Sequence, residues 1–131
     1  MKHDLLIRKR KIIVVAQIKG INESRGVNFI LDTGATKSII DESVVTWLGF
    51  NLKQLDAGYR LMTAGGGVNS KTLKLPKFSL FGKDIADFEV NVIKMPLQIS
   101  YFADGLVGMD FLLQFKRLQF DFSEKIIETF D

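Results

Sequence analysis

The alternation of apolar and polar positions along the chain predicts mostly β-strands. Most apolar runs are short and rich in β-branched or aromatic residues, and Gly, Asn, Asp or Lys separate them. In the run over 85–93, Phe88 and Val90 flank polar Glu89, and this period of two indicates one solvated face. The predicted strands cover 4–10, 11–20, 27–31, 38–40, 59–63, 68–75, 77–81, 85–93, 106–107, 117–122 and 126–130.

Two short helices are predicted among these strands. Asp41 can cap a helix over 42–48, and Asp110 can cap a second one. Residues 94–103 carry no regular pattern and are expected to be irregular. The last strand, 126–130, is an exposed edge unless another strand pairs with it. The fold class is therefore all-β, with one or two short helices.

Composition limits both the size of the protein and its chemistry. A chain of 131 residues with 47% hydrophobic residues and eleven Phe predicts a single domain over 1–131 with a real core. Cys is absent and His3 is the only histidine. This excludes thiol nucleophiles, Ser-His-Asp triads and metal sites built from Cys or several His. We expect no cofactor and no metal, and catalysis would have to use carboxylates, Lys, Tyr or backbone groups.

The formal net charge of +3 is modest, and much of it lies in the basic run 8–11. Such a run beside a strand could contact nucleic acid or anionic lipid. No aromatic-rich basic face accompanies it, so we expect a solvated edge and no nucleic-acid partner. No stretch approaches the ~20 apolar residues that span a bilayer. We therefore expect no membrane span and a cytoplasmic location.

The stretch 29–36 joins a buried strand to a small, tight turn. Phe29, Ile30 and Leu31 are apolar, Asp32 follows at the strand's end, and small residues occupy 33–36. A carboxylate at the end of a buried strand costs free energy unless it is hydrogen-bonded, paired or protonated. The small neighbours would let a ligand, another backbone or a second copy of the loop come close.

One carboxylate can act as an acid or a base, whereas two in contact share a proton and can do both. Such a pair can hydrolyse a peptide with no metal and no covalent intermediate. The chain has one such loop, because Asp104 and Asp110 lack a following small-residue turn and are expected to be turn and cap residues. A second Asp32 can come from a second copy of the chain, since a two-fold axis brings identical patches face to face.

Ala64, Gly65, Gly66 and Gly67 lie between two predicted strands. Successive glycines are conformationally free, and their ordering costs more entropy than other residues would. They fit a plain turn, but a turn needs fewer glycines. A mobile hairpin tip that closes over a ligand is the alternative.

The motif Leu31-Asp32-Thr33-Gly34-Ala35-Thr36 resembles the D-[TS]-G-A motif of retropepsin-like aspartic proteases. The resemblance extends to the preceding apolar strand, to the glycine tip at 64–67, to Leu106-Val107-Gly108 and to the short helix that follows. The order and spacing of these elements match over roughly residues 12–130. Thr36 is similar to the Thr or Ser of cellular members rather than to the charged residue of retroviral ones, so the bacterial or cellular type is implied.

This resemblance implies a small closed β-barrel whose subunits pair, often through their terminal strands. It implies an aspartic endopeptidase that acts as a homodimer on a peptide or protein substrate. Asp32 would be the catalytic aspartate, one per subunit, and Thr33 would hydrogen-bond across the dimer axis. Gly34 would let the substrate or the catalytic water approach, and Ala35 and Thr36 would complete the supporting loop.

The other matched elements also receive roles from the resemblance. Ala64, Gly65, Gly66 and Gly67 would form the flap over a bound peptide. Leu106, Val107 and Gly108 would form the barrel element under the site.

Side-chain preference would be set by pocket residues, and Val27, Met62, Ile99 and Val107 are the candidates.

Two other interpretations remain beside the protease. A catalytically silent dimerisation or peptide-binding module could use the same fold, since fold alone never establishes activity. Asp-Thr-Gly-Ala-Thr also resembles the phosphate-binding loop of actin-like ATPases. Those folds need two large α/β domains, and the chain has neither that length nor a Gly-Lys-Ser/Thr loop.

Overall fold

The computed structural model describes residues 1–63 and 66–131. The chain folds mostly into β-strands with a few short helices, so the predicted all-β class is confirmed. The strands are β1 (Lys2–Asp4), β2 (Leu6–Arg8), β3 (Lys11–Lys19), β4 (Ser24–Leu31), β5 (Ile39–Asp41), β6 (Asp56–Thr63), β7 (Gly66–Leu80), β8 (Lys83–Ile93), β9 (Gly105–Val107), β10 (Arg117–Asp121) and β11 (Ile126–Phe130).

The helical segments are α1 (Glu42–Trp47), α2 (Leu97–Ser100), α3 (Met109–Leu112) and a 3₁₀ turn at Leu52–Gln54. Helix α2 lies within 94–103, which had been expected to be irregular; this expectation is wrong. The hydrogen bonds from Ser100 N and Ile99 N to Pro96 O, both 2.9 Å, form the first turn. Within the described residues, no helix has the length and apolar character that crossing a membrane requires.

A sheet of eight strands forms the body of the protein. Its order is β2-β3-β4-β9-β5-β8-β7-β6, and β3 also pairs with β7. This additional pairing, which joins Ile18 to Phe78, closes the strands from β3 to β7 into a ring. Strands β4 and β9 run parallel, whereas β9 and β5 run antiparallel. Strand β9 therefore lies between the strand that precedes Asp32 and the strand that follows it.

Aromatic side chains fill the centre of the ring. Phe78 packs against Phe29, Phe88 and Phe111 with ring centroids 4.8–5.7 Å apart. These residues come from β7, β4, β8 and α3, so one cluster joins three strands and the last helix. Tilted and edge-to-face aromatic pairs stabilise a core beyond the area they bury. The cluster therefore holds α3 firmly against the strand that leads to Asp32.

The two chain termini meet in a separate three-stranded sheet. Strand β11 is its central strand and pairs with β1 on one side and β10 on the other. The Met1 ammonium also donates to Thr129 O at 2.8 Å. Strand 126–130 was expected to be an exposed edge unless another strand paired with it, and it pairs on both sides with strands of its own chain. The outer strands of this sheet are β1 and β10.

The predicted strand over 4–10 is also wrong in its boundaries. Strand β1 belongs to the terminal sheet, whereas β2 joins the large sheet. Leu5 separates them because its side chain is buried and its N–H donates to Lys125 O at 2.8 Å. Lys9 and Arg10 form the hairpin turn into β3, with φ values of 48° and 65°. Such left-handed turns match the twist of paired strands.

The outer face of the ring carries a second apolar layer beside Asp32. Ile13, Ile30, Leu106 and Ile39 lie side by side on four adjacent strands. Directly paired residues share one face of a sheet. Asp32 follows Ile30 by two positions and therefore lies on this side.

The segment around α2 packs on this apolar layer through Ile99, Phe102 and Ala103. It forms a wall next to the Asp32 loop.

Candidate active site

The loop after β4 holds the Asp32 carboxylate in a defined orientation. Asp32 N donates to Val107 O at 2.9 Å, and Ala35 N donates to Asp32 O at 3.2 Å. Gly34 N donates to Asp32 Oδ1 at 2.8 Å. Asp32 is half-buried, while Thr33 and Gly34 are exposed. The carboxylate is thus braced by its own loop, and the tip of that loop faces solvent.

Gly108 allows two backbone segments to come together beneath this loop. A Cβ atom at Gly108 would lie 2.6 Å from Ala35 O and 2.9 Å from the Lys37 carbonyl carbon. These are backbone atoms, so a larger residue could not be accommodated by a side-chain movement. The close approach lets Met109 N donate to Ala35 O at 2.8 Å. Leu106-Val107-Gly108 therefore lies directly under the loop.

Ser38 and Asp110 form a second link between these segments. Ser38 is fully buried, and its N and Oγ donate to the two Asp110 carboxylate oxygens at 2.9 and 2.8 Å. Ser38 Oγ also accepts from Gly108 N at 3.0 Å. A charge-assisted bond of this kind is stronger than a neutral one. The cluster fixes the end of the Asp32 loop to the start of α3.

The prediction that Asp110 caps a helix is wrong. The N-cap of α3 is Gly108, which makes no side-chain cap bond. Asp110 lies inside the first turn, where its carboxylate accepts from Ser38 and from Phe111 N at 2.9 Å. Ser38 was not predicted to be part of the site. The available signal was a small polar residue directly before two isoleucines, in a stretch predicted to be a strand.

A cavity of about 680 Å³ opens beside Asp32. One wall is the loop itself, a second is apolar, and a third is strand β6. Among the described residues that line it, Asp32 is the only carboxylate. The lining residues are Asp32, Gly34, Ala35, Thr36, Lys37, Ile39, Tyr59, Arg60, Leu61, Met62, Asn91, Ile93, Met95, Pro96, Ile99 and Leu106.

The predicted pocket residues divide into two groups. Met62 and Ile99 line the cavity. Val27 and Val107 are instead buried in the core, at 5% and 0% exposure, so their prediction is wrong. Successive residues of a strand point to opposite faces. Leu106 therefore faces the cavity while Val107 faces the core.

The hairpin of β6 and β7 borders the cavity where a flap was predicted. Ala64 and Gly65 lie outside the described residues. Gly66 pairs with Thr63, and Gly67 pairs with Met62. The Arg60 guanidinium donates to Gly67 O at 3.3 Å, across the two arms. The described part of the glycine stretch is therefore regular hairpin.

Asp41 and Asp104 form a pair of nearby carboxylates that do not line the cavity. Burial, and then the nearby charge of Asp41, raise the pKa of Asp104. Asp41 caps α1 by accepting from Ser43 N at 3.1 Å, and its other oxygen accepts from Met95 N at 2.8 Å. These contacts give Asp41 a structural role. In the described part of the chain, no three His, Asp or Glu residues are grouped to hold a metal ion.

Comparison with known proteins identifies the family. The sequence model of the aspartyl protease family matches residues 14–111. The chain belongs to the aspartyl protease family. The match includes the Asp32 loop and ends at Phe111, in α3. No curated protein matches the sequence of this aspartyl protease family member.

Solved structures share the fold of this aspartyl protease family member. A retropepsin-like aspartic protease from Rickettsia conorii is 22% identical with a TM-score of 0.75, covering 99% of this chain and 91% of the other. EIAV protease in complex with the inhibitor HBY-793 is 19% identical with a TM-score of 0.63, covering 81% and 88%. The retroviral protease-like domain of Ddi1 from Leishmania major is 20% identical with a TM-score of 0.60, covering 91% and 87%. The fold is retropepsin-like.

Proposed function

We propose that this protein is an aspartic endopeptidase that acts as a homodimer, with one Asp32 from each subunit in a shared site. The observation that carries the proposal is the single carboxylate in the described lining of the cavity. It lies on a loop whose Thr33 and Gly34 are exposed. One carboxylate cannot supply both an acid and a base at the same time. A second copy of the loop supplies the missing group.

The two carboxylates share one proton because like charges in contact cannot both ionise. The ionised oxygen removes a proton from water as the water oxygen attacks the peptide carbonyl carbon. The protonated carboxyl gives its proton to the carbonyl oxygen. The tetrahedral intermediate then collapses: the C–N bond breaks, the leaving nitrogen takes a proton from the dyad, and one hydroxyl of the intermediate returns a proton to the dyad as the new carboxyl group forms. No cofactor is needed for any of these steps.

The surroundings of Asp32 support a peptide as the substrate. The apolar wall of Ile39, Ile93, Met95 and Ile99 can bind an apolar side chain next to the scissile bond. Strand β6 lines the cavity, and the tip of the β6–β7 hairpin at 64–67 is proposed as the flap. Gly34 leaves space for the substrate backbone, and Thr33 is proposed to bond across the dimer axis. The whole chain, 1–131, is proposed to act as one domain.

Cleavage of a broad peptide library between mildly acidic and neutral pH tests this proposal. Asp32→Asn should abolish cleavage, because an amide cannot serve as the base, while the fold and the dimer persist. Asp104→Asn is the matched control, and it should keep its cleavage because Asp104 lies away from the cavity lining. Undiminished cleavage by Asp32→Asn would refute the assignment.

A catalytically silent peptide-binding module on the same fold gives a different outcome. In that case the wild type binds peptides but cleaves none, and Asp32→Asn binds them equally well. Fluorescence titration of labelled peptides alongside the cleavage assay separates the two functions.

A further inference from the structure

A second, polar cavity continues from the Asp32 cavity along the sheet. It has a volume of about 330 Å³ and shares Lys37, Tyr59 and Asn91 with the larger one. Its remaining lining residues include Glu89, Thr72 and Gly58. The two cavities therefore adjoin each other, and together they are called the cleft, which is apolar beside Asp32 and polar at its far end.

Strand pairing places Glu89, which lines the polar cavity, beside Lys37, which lines both cavities. Ile39 pairs in register with Asn91 across β5 and β8. Lys37 precedes Ile39 by two positions, and Glu89 precedes Asn91 by two. Their side chains form an ion pair, with Lys37 Nζ 3.0 Å from Glu89 Oε1. Both side chains are half-exposed, at 44% and 43%. The cleft thus presents a donor and an acceptor side by side, with little net charge between them.

Gly58 allows close packing on the other side of the polar cavity. A Cβ atom there would lie 2.5 Å from Ser70 Oγ and 3.3 Å from Asn91 Oδ1. Asn91 is itself buried, at 3% exposure, and lines both cavities. The polar end of the cleft therefore has one closely packed side, where Gly58 lies against Ser70 and Asn91.

We infer that this polar cavity is a substrate subsite that selects a carboxamide side chain, with glutamine as the best fit. This inference rests on the proposed peptidase function. A carboxamide has one acceptor and two donors on one planar group. Its oxygen can accept from Lys37 Nζ while its nitrogen donates to Glu89 Oε1. Both partners then keep hydrogen bonds when the bound side chain displaces water from them.

Charged side chains fit the same subsite less well. A glutamate bonds to Lys37 but opposes Glu89, and a lysine bonds to Glu89 but opposes Lys37. Lys74 lies opposite Glu89 on β7 and adds positive charge on that side. Lysine should therefore be the least favoured of the three. A leucine leaves Lys37 and Glu89 without new partners as water is displaced.

The test uses peptides with a cleavable apolar pair, in which Gln, Glu, Lys or Leu is placed at each other position in turn. At one position, kcat/KM should be about tenfold higher for Gln than for Glu or Leu, as expected for hydrogen bonds to charged groups. Lys37→Met should shift the preference towards Lys, because Glu89 loses its cation. Glu89→Gln should shift it towards Glu, because Lys37 loses its anion.

Lys77→Met is the control, since Lys77 forms a surface ion pair with Asp84 at 3.3 Å, somewhat more exposed than the Lys37–Glu89 pair, and lines neither cavity. It should leave the order of the peptides unchanged. A preference for Leu at every position, or the same order in Lys37→Met and Glu89→Gln, would overturn the inference.

If the wild type cleaves none of the peptides, the proposed function fails and the subsite is tested by binding. Fluorescence titration of the same peptides then replaces cleavage as the measurement. Tighter binding of the Gln peptide, with opposite shifts in the two variants, supports the subsite. Equal binding of all four peptides overturns it.

Discussion

Ser38→Ala removes one hydroxyl from the link between the Asp32 loop and α3. The hydroxyl accepts from Gly108 N at 3.0 Å and donates to Asp110 Oδ1 at 2.8 Å. Gly108 is buried, so its N–H would lose its partner without gaining water. Such an orphaned group costs about 1–3 kcal/mol. Loss of a bond to a charged acceptor adds to this, and we expect a total destabilisation of about 2–4 kcal/mol.

Urea unfolding at equal protein concentration measures this loss, because dimer formation would shift the apparent stability. Ser123→Ala is the matched control. Ser123 Oγ also donates to an aspartate, Asp121 Oδ1, at 2.9 Å, but on the exposed surface. A surface substitution of this kind changes stability by about 0.5 kcal/mol or less. If Ser38→Ala unfolds at the same urea concentration as Ser123→Ala, the link does not stabilise the fold as argued.

The same substitution should affect catalysis more than substrate binding. Ser38 ends the loop that begins at Asp32, so loss of its bonds loosens the position of the carboxylate. A misplacement of about 1 Å can cost about 100-fold in rate. We expect kcat to fall while KM changes little. A rise in KM at constant kcat would show that Ser38 acts on substrate binding instead.

Two further substitutions test the packing and the charges around the loop. Gly108→Ala should destabilise the fold by about 1–3 kcal/mol, since the new Cβ would lie 2.6 Å from Ala35 O. Gly26→Ala is the control in the same urea assay. Its new Cβ would meet only side chains, so the free energy of unfolding should change little. For Asp104, burial and the charge of Asp41 raise the folded-state pKa, so the wild type loses stability as pH rises from the ordinary value of 3.8 through the raised pKa. Asp104→Asn has no carboxyl to ionise, so its stability relative to the wild type should increase as pH rises through that range. A stability difference between the two proteins that does not vary with pH would contradict the raised pKa of Asp104.

The all-β class and the elements beside Asp32 could be predicted because their signals are local. An apolar run before Asp32, small residues after it, and Leu106-Val107 before Gly108 each lie within a few positions of the chain. The contact that makes Gly108 necessary agrees with this reading, since its neighbour is the backbone of Ala35. A glycine after two apolar residues thus indicates that another backbone comes close, while the resemblance to retropepsin-like proteases related this glycine to the Asp32 loop.

The features that were not predicted depend on contacts between distant residues. Ser38 and Asp110 are 72 positions apart, and each has ordinary alternative roles at its own site. The environment of β11 could not be predicted from its own residues, because the residues of one strand do not identify the neighbouring strands. Its partner β1 begins at Lys2. Lys37 and Glu89, 52 positions apart, were likewise visible only after strands β5 and β8 were aligned.

The central claim is that Asp32 acts only as a pair, with one copy from each subunit. It is tested most directly by co-refolding wild-type protein with increasing amounts of Asp32→Asn at constant total concentration. If each site needs two ionisable Asp32 side chains, mixed dimers are inactive, and peptide cleavage should fall with the square of the wild-type fraction. A linear fall would mean that each chain works alone, and it would contradict the shared site.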